Sequence, residues 1–323
     1  MNEIKKILVI SSNRLGDSIL SSGLHRFFKE KYQNTEITLV CGEIPSGLFE
    51  YCSYIDKLIV LKKRKYALHW IILWSKLFLK KWFRIVDLRG SLISFLLISQ
   101  KSFRFKTNRI SRNHKVIDIT KNIAGEVLAP TISLSDNLNF KNPSLNQIKY
   151  LKNNHDFVMI APTANWIGKI WPAKRFLDLI ISLKKETKFK KTIFILVGPE
   201  NEKSLITEIL AVKKKYVLDL FGKVSLLELF CIMKLCKLFI GNDSGLMHMA
   251  SLTGINTVGL FGPSDKIKYR PWGEKNFVIS SSKSPYELMG HKSFSAKGSG
   301  SLMLELETNK VLENLKNYLS KKK

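Results

Sequence analysis

The chain has 323 residues, 45% of them hydrophobic, enough for two domains of roughly 150 residues that each bury a core. Lys and Arg number 53 against 26 Asp and Glu, a formal net charge of +27, so the surface attracts anions such as nucleic acid, acidic lipid or phosphorylated substrates; a lysine bias spread over solvated helix turns, as in Lys213-Lys214-Lys215, explains much of the same surplus. No apolar run reaches the roughly 18 residues a spanning helix needs, and the four cysteines (Cys41, Cys52, Cys231 and Cys236) form no C-x-x-C pair, which argues against an integral membrane protein and a zinc site and for reduced, mostly buried thiols.

In chain order, "KKILVI" reads as a first strand and not a leader, because it ends at once in polar "SSNRLGD". A helix is expected from about Asp17 to Lys31. "EITLVCG" and "DKLIVL" give a second and a third strand. In "KKRKYALHWIILWSKLFLKKWF", Lys65, His69, Lys76 and Lys80 share one face and the apolar residues lie elsewhere, which predicts an amphipathic helix over residues 66–83 with a wide apolar side. "RIVDL" is a fourth strand and "GSLISFLLIS" a following helix. The pattern loosens from Ala129 to Asn154, placing an interdomain boundary near 140–155.

The second half repeats the alternation. "DFVMIAP" is a strand, "AKRFLDLIISLKKE" a helix, "KTIFILVG" a strand, and a helix follows from about Asn201. "YVLDLFG" is a short strand, and Ser225 is placed to cap the helix "SLLELFCIMKLC". "KLFIG" and "INTVGLFGP" are strands, residues 280–301 are Ser/Gly-rich and expected to be loose, and "ETNKVLENLKNYLS" is a last helix. Strands alternating with helices imply α/β architecture. Two Rossmann-like halves in tandem, residues 1–150 and 151–323, put the expected ligand site in a cleft between them, beyond the carboxyl ends of the strands. The last helix is free to pack back on the first domain.

Four loops at strand ends carry polar chemistry. In "SSNRLGDSIL", Asp17 is either a helix cap or a carboxylate acting as general base; the missing G-x-G-x-x-G weighs against a dinucleotide oxidoreductase. In "APTANWIGKIWPAKRF", Lys169 is either one more solvated lysine or a point charge for a phosphate, and Trp171 reads as packing. In "VGPENE", Glu200 or Glu202 is either an exposed carboxylate at a helix start or an acceptor for a ribose. In "FIGNDSGLMHMA", Asp243 is open to four roles: cap, metal ligand, acid or base, or ligand anchor. Gly241 and Gly245 allow close backbone approach, the amides of Ser244, Gly245 and Leu246 make an anion site, and His248 follows one turn on. A lone Asp243 is too few carboxylates for a metal, and "NDSG" is no nucleophile elbow.

Taken together, "ILVISSNRLGDSILSSGL", "IVDLRGSLISFLL", "APTANWIGKIWPAKRF" and "GNDSGLMHMASLTGINTVGLFGPSD" resemble glycosyltransferase family 9, the lipopolysaccharide heptosyltransferases, in order and spacing over residues 5–275. The resemblance implies a GT-B fold: an acceptor-binding domain first and a nucleotide-sugar-binding domain second. It implies an inverting transfer of heptose from ADP-heptose to a lipopolysaccharide core acceptor, with Asp17 as general base. It also implies a donor site of Lys169, Glu202, Asp243, Ser244, Gly245 and His248, with no metal and no cofactor beyond the nucleotide-sugar substrate. Asp243 is expected to face sugar hydroxyls or amides, leaving the phosphates to Lys169, Ser244 and Gly245. Lys62, Lys63 and Arg64, ahead of the Trp-rich helix, are expected to meet a lipid-linked acidic glycan acceptor and the anionic inner leaflet. That places the enzyme in the cytoplasm, peripheral on the inner membrane. The Ser/Gly-rich segment at 280–301 lacks the Cys-containing stretch of many family members, which leaves the transferred sugar open. Alternatives are a GT-B transferase of another nucleotide sugar to a surface glycan, a silent assembly scaffold, or a basic nucleic-acid-binding protein. No nucleic acid is expected, since no recognised binding motif accompanies the charge.

Overall fold

The computed structural model describes residues 3–105, 111–134, 155–212, 215–290, 298 and 300–321. Contacts divide the chain into two compact units, Met1–Asn139 and Phe140–Lys323. The boundary expected at 140–155 falls almost entirely outside the described residues.

The first unit runs β1 (Lys5–Ile10), α1 (Leu15–Leu20), α2 (Gly23–Lys31), β2 (Thr35–Cys41), α3 (Glu43–Phe49), β3 (Lys57–Val60), α4 (Leu68–Leu77), β4 (Trp82–Asp87), β5 (Ser99–Arg104) and α5 (Lys115–Ala124). Its sheet has the order β3-β2-β1-β4-β5, and every pairing is parallel. A parallel sheet covered on both faces needs strands that are apolar on both sides; Ile7 to Ile10 are accordingly all fully buried. Ile7 and Val9 pack with Leu24 and Phe28 of α2 and Ile119 and Ile123 of α5. Leu8 and Ile10 pack on the other face with Leu73 and Leu77 of α4 and with Ile93 and Leu97.

Three expectations for this unit need correction. The single helix over 17–31 is two helices. It breaks at Ser21-Ser22, where Ser21 Oγ donates to the carbonyls of Asp17 and Ser18 and the Thr131 N–H donates to Ser22 Oγ at 2.9 Å. Hydroxyls that take over backbone bonds compete with helix continuation. The helix expected at 90–99 is a 3-10 turn over Leu92–Phe95 followed by a fifth strand. Ser91 and Ser94 both donate to the buried Asp87 carboxylate, at 2.7 and 2.9 Å, which pins the segment as a turn. The long helix of residues 66–83 is only α4: it begins after two left-handed residues, Tyr66 (φ 52°) and Ala67 (φ 57°), and Trp82 already belongs to β4.

The second unit runs β6 (Asp156–Ala161), α6 (Ala173–Lys185), β7 (Thr192–Leu196), α7 (Thr207–Ala211), β8 (Val217–Asp219), α8 (Leu226–Leu235), β9 (Leu238–Asn242), α9 (Gly245–Leu252), β10 (Asn256–Phe261), α10 (Lys266–Tyr269), β11 (Asn276–Ser280), α11 (Pro285–Met289) and α12 (Thr308–Ser320). The order β11-β10-β9-β6-β7-β8, parallel throughout, is the doubly wound arrangement with its switch point between β6 and β9. Phe176, Leu179, Ile180 and Leu183 of α6 share a core with Val311, Leu315 and Tyr318 of α12, so the last helix is part of this unit's own packing. Ser225 caps α8 in a reciprocal box with Glu228.

The helix expected from Asn201 begins as a 3-10 segment over Glu200–Ile206. β11, at the edge of the sheet, is a strand not expected from the sequence. The segment expected to be loose contains α11, capped by Ser284 and Glu287; residues 291–297 and 299 lie outside the described part. No helix among the described residues is long and apolar enough to cross a membrane.

Candidate functional site

Open α/β sheets bind ligands beyond the carboxyl ends of the strands at the switch point, which is between β1 and β4 in the first unit and between β6 and β9 in the second. Each place holds a lysine–aspartate pair.

In the first unit β1 ends at Ile10 and the chain turns through Ser11–Arg14 into α1. Ser18 Oγ ties back to the Ser12 carbonyl at 3.1 Å, which fixes the turn. Asp17 stands in the first turn of α1, but it is not the cap: Arg14 is, and α1 has no side-chain cap bond. The Asp17 carboxylate instead receives Lys115 Nζ at 2.6 Å on Oδ1 and Ser12 Oγ at a long 3.4 Å on Oδ2. Lys115 opens α5, where His114 Nδ1 accepts from the Val116 N–H. A cation at a helix N-terminus opposes the helix dipole, so the Asp17 carboxylate offsets an unfavourable placement. Of the two partners, Asp17 is the more open: 26% of its side chain is exposed against 16% for Lys115. Beside this pair, Arg89 donates to Asn13 Oδ1 at 2.9 Å and lies 4.9 Å from the Trp70 ring centre. Lys62, Lys63 and Arg64 are exposed after β3, and Lys62 pairs with Glu43 at 3.1 Å.

In the second unit, Lys169 ends a 3-10 turn over Ile167–Lys169. Its Nζ meets Asp243 Oδ2 at 2.6 Å. Here the carboxylate is the hidden partner, 7% exposed, and the lysine the open one, 26%. Asp243, expected to face sugar hydroxyls or amides, is paired with Lys169. Buried Asn242 holds the two loops in register, accepting from the Trp171 N–H at 3.1 Å and donating to the Pro162 carbonyl at 2.9 Å. Trp171 is fully buried against Phe176, which bears out its reading as packing. Gly241 is a close approach; a Cβ there would lie 2.9 Å from the Ala161 carbonyl oxygen. Ser244 is the extended N-cap of α9 and makes no side-chain cap bond. The amides of the first turn thus lack intrahelical acceptors at a helix end suited to an anion. An ammonium has three donors and the Asp243 pair takes one, leaving Lys169 able to meet a second anion. Gly245 starts α9, and His248 is buried within it at 4% exposure. Glu202 is half-buried in the segment after β7, while the neighbouring Glu200 pairs with Lys203 at 3.6 Å.

The structure thus joins Lys169 to Asp243, beside Ser244 and Gly245, and supplies Asp17 with a partner that sequence reasoning missed. Lys115 lies 98 positions away from Asp17 and gives no local signal among 53 basic residues. Asn242, also missed, lies inside the "GNDSG" turn, where a polar residue at the end of a buried strand was the available cue. Among the described residues no group of three His, Cys, Asp or Glu is placed to hold a metal ion.

The chain is 25% identical over 287 residues to lipooligosaccharide heptosyltransferase 2 of Campylobacter jejuni, covering 84% of this chain and 86% of that one. Its fold is similar to that of a family 9 glycosyltransferase from Veillonella parvula, with TM-score 0.77, 18% identity and 98% and 97% of the two chains covered. It is also similar to E. coli ADP-heptose lps heptosyltransferase II, with TM-score 0.72, 19% identity and 98% and 99% covered. The model of glycosyltransferase family 9 (heptosyltransferase) matches residues 80–295, more than half of the sequence, and the chain therefore belongs to that family and is a glycosyltransferase with two Rossmann-like units of the GT-B type.

Proposed function

We propose that the protein transfers a heptose from ADP-heptose to a lipopolysaccharide core acceptor with inversion at the anomeric carbon. The observation that carries this reading is the opposite presentation of the two pairs, an open carboxylate in the first unit and an open lysine in the second. Lys115 holds Asp17 Oδ1 and leaves Oδ2, bonded only loosely to Ser12, to take the proton of an acceptor hydroxyl. The hydroxyl oxygen bonds to the anomeric carbon as the bond from that carbon to the diphosphate oxygen breaks, and the electron pair leaves with the diphosphate. Lys169 and the first-turn amides of α9 at Ser244 and Gly245 stabilise the departing charge. Glu202 is assigned to the nucleoside and His248 to the walls of the donor site. Lys62, Lys63 and Arg64 meet acidic groups of a lipid-linked acceptor, and the enzyme works in the cytoplasm at the inner face of the inner membrane.

The donor is supported by the E. coli protein of similar fold, named for ADP-heptose, and the acceptor class by the C. jejuni relative. A thermal-shift panel of ADP-, UDP- and GDP-linked sugars tests the donor. Selective stabilisation by ADP-heptose is the expected result; stabilisation by UDP-sugars alone would replace the donor and keep the transferase.

A further inference from the structure

The Ser/Gly-rich stretch that closes at Ser301 has no part in the proposed chemistry, yet the chain leaving it lies against the loop of Lys169. Lys169 ends a 3-10 turn of three residues, Ile167–Lys169. Within the loop, the Lys169 N–H donates to the Trp166 carbonyl at 3.0 Å and the Ile170 N–H to the Ile167 carbonyl at 2.9 Å. Such a turn has poor hydrogen-bond geometry, and a lysine reaches its target on a flexible four-carbon stem. The turn alone therefore does not fix the ammonium.

Support comes from a segment 131 positions further on. Ser301 Oγ donates to the Ile170 carbonyl at 2.6 Å, and the Leu302 N–H donates to the Gly168 carbonyl at 3.1 Å. The carbonyls of the residues on either side of Lys169 are thus held by two consecutive residues. Ser301 Oγ also accepts from the Met303 N–H at 3.1 Å, which turns the hydroxyl proton toward Ile170. The far end of the segment is anchored in the core. Met303 and Leu306 are fully buried and pack with Trp171 and Phe176. The Leu306 carbonyl accepts from Trp171 Nε1 at 2.5 Å and from Arg175 at 2.7 Å. Met303 also closes on the turn after β10, where a Cβ on Gly262 would lie 2.6 Å from its Cγ. Asn242 holds the Trp171 N–H from the β9 side.

We infer that Ser301 is a positioning residue of the donor site, acting through Lys169. Its hydroxyl, together with the Leu302 N–H, braces the turn so that the ammonium waits beside Asp243 for a diphosphate. Ser301 itself touches no ligand. A charge held in place before binding spares the ordering cost that a mobile lysine incurs on binding. The effect on binding rests on the reading of Lys169 as a phosphate ligand; the brace itself is a property of the unliganded chain.

The test compares Ser301→Ala with Ser301→Thr, which keeps the hydroxyl, in the full chain. Amide hydrogen exchange over Ile167–Trp171 is measured without ligand, and binding of ADP and of adenosine by calorimetry. Ser301→Ala should speed exchange in that loop by about fivefold, the loss expected for one hydrogen bond, and leave exchange in α8 unchanged. It should weaken ADP by about fivefold and leave adenosine, which has no phosphate, as in the wild type. Ser301→Thr should stay near wild type in both readouts. In a Lys169→Met background Ser301→Ala should cost no further ADP affinity, because the two residues act as one unit. Three results would overturn the inference: unchanged loop exchange in Ser301→Ala, equal losses for ADP and adenosine, as a serine that only stabilises the fold would give, or a full further loss in the Lys169→Met background. A Lys169→Met variant that binds ADP like the wild type, or a wild type that binds none, counts against the donor reading instead, and the exchange rates then decide the brace alone.

Discussion

The two lysine–aspartate pairs have the same length, 2.6 Å, and opposite senses. In the first unit the lysine is the more hidden partner and the carboxylate is presented. In the second the carboxylate is buried and the lysine is presented. An ion pair at a ligand-binding end of a sheet therefore need not mean that both charges act on ligand. In the proposed function its buried member holds and its open member reaches. The placement of Lys115 against the dipole of α5 supports this, since such a lysine is costly unless an anion needs it there.

The largest expected effect is on chemistry in the first unit. Asp17→Asn keeps the shape of the side chain and removes the proposed base, so turnover should fall by roughly 10² or more while donor affinity, measured by calorimetry, stays near wild type. Near-normal turnover would end the assignment of Asp17 as base. Next comes binding in the second unit. Lys169→Met should weaken donor affinity by about tenfold or more, the loss expected for a hydrogen bond to a charged group. It should also lower thermal stability by leaving the Asp243 carboxylate buried without its cation. Asp243→Asn should keep donor affinity within a few-fold. If Asp243→Asn costs more donor affinity than Lys169→Met, the sense of this pair is the reverse of the one argued.

A smaller effect separates holding from reaching in the first pair. Lys115→Ala should lower kcat by about tenfold with little change in KM, in line with the loss of one charge-assisted contact that positions a reacting group. Lys115→Arg should recover most of that loss. A purely structural lysine would show the reverse pattern, with a lower melting temperature and an intact kcat.

The sequence was most legible where the physics is local or periodic. Fully buried parallel strands such as "KKILVI" and "KTIFILVG" read as unbroken apolar runs because both of their faces are covered. The cap at Ser225 was visible because a capping box lies within four residues. The edge strand β5 is hidden because "SQKSFR", largely exposed, lacks both an apolar run and a strict alternation. The turn at 92–95 was mistaken for a helix because the buried Asp87 that claims its serines lies in the preceding strand. The site followed the same division. Asp17, Lys169 and the "NDSG" turn are legible as candidates because each follows a strong strand closely, Asp17 in the first turn of α1 and Lys169 at the end of a 3-10 turn. The pairing of Asp17 with Lys115 depends on where β5 and α5 place a lysine 98 positions on. The pairing of Lys169 with Asp243 depends on the adjacency of β6 and β9, and neither can be read from spacing.

The smallest prediction extends the comparison to acid. His25, in α2 of the first unit, is completely buried beside Phe49, and neither ring nitrogen has a hydrogen-bond partner among the described residues. Burial pushes its pKa down from 6.5 to about 4, because a charged imidazole there would lose its hydration. Between those two values the unfolded chain binds a proton that the folded chain refuses. Stability from this residue is therefore complete above pH 6.5 and drains away as pH falls toward 4. Linkage gives a loss of about 0.8 kcal/mol on going from about pH 7.5 to about pH 6, a shift of roughly 2–3 °C in melting temperature for a unit of this size. His25→Leu, close in volume and unable to titrate, should remove that part of the pH dependence. It should leave donor affinity untouched, because the donor is assigned to the other unit. If the difference in melting temperature between the two pH values is the same in His25→Leu as in the wild type, the acid sensitivity of the first unit arises elsewhere.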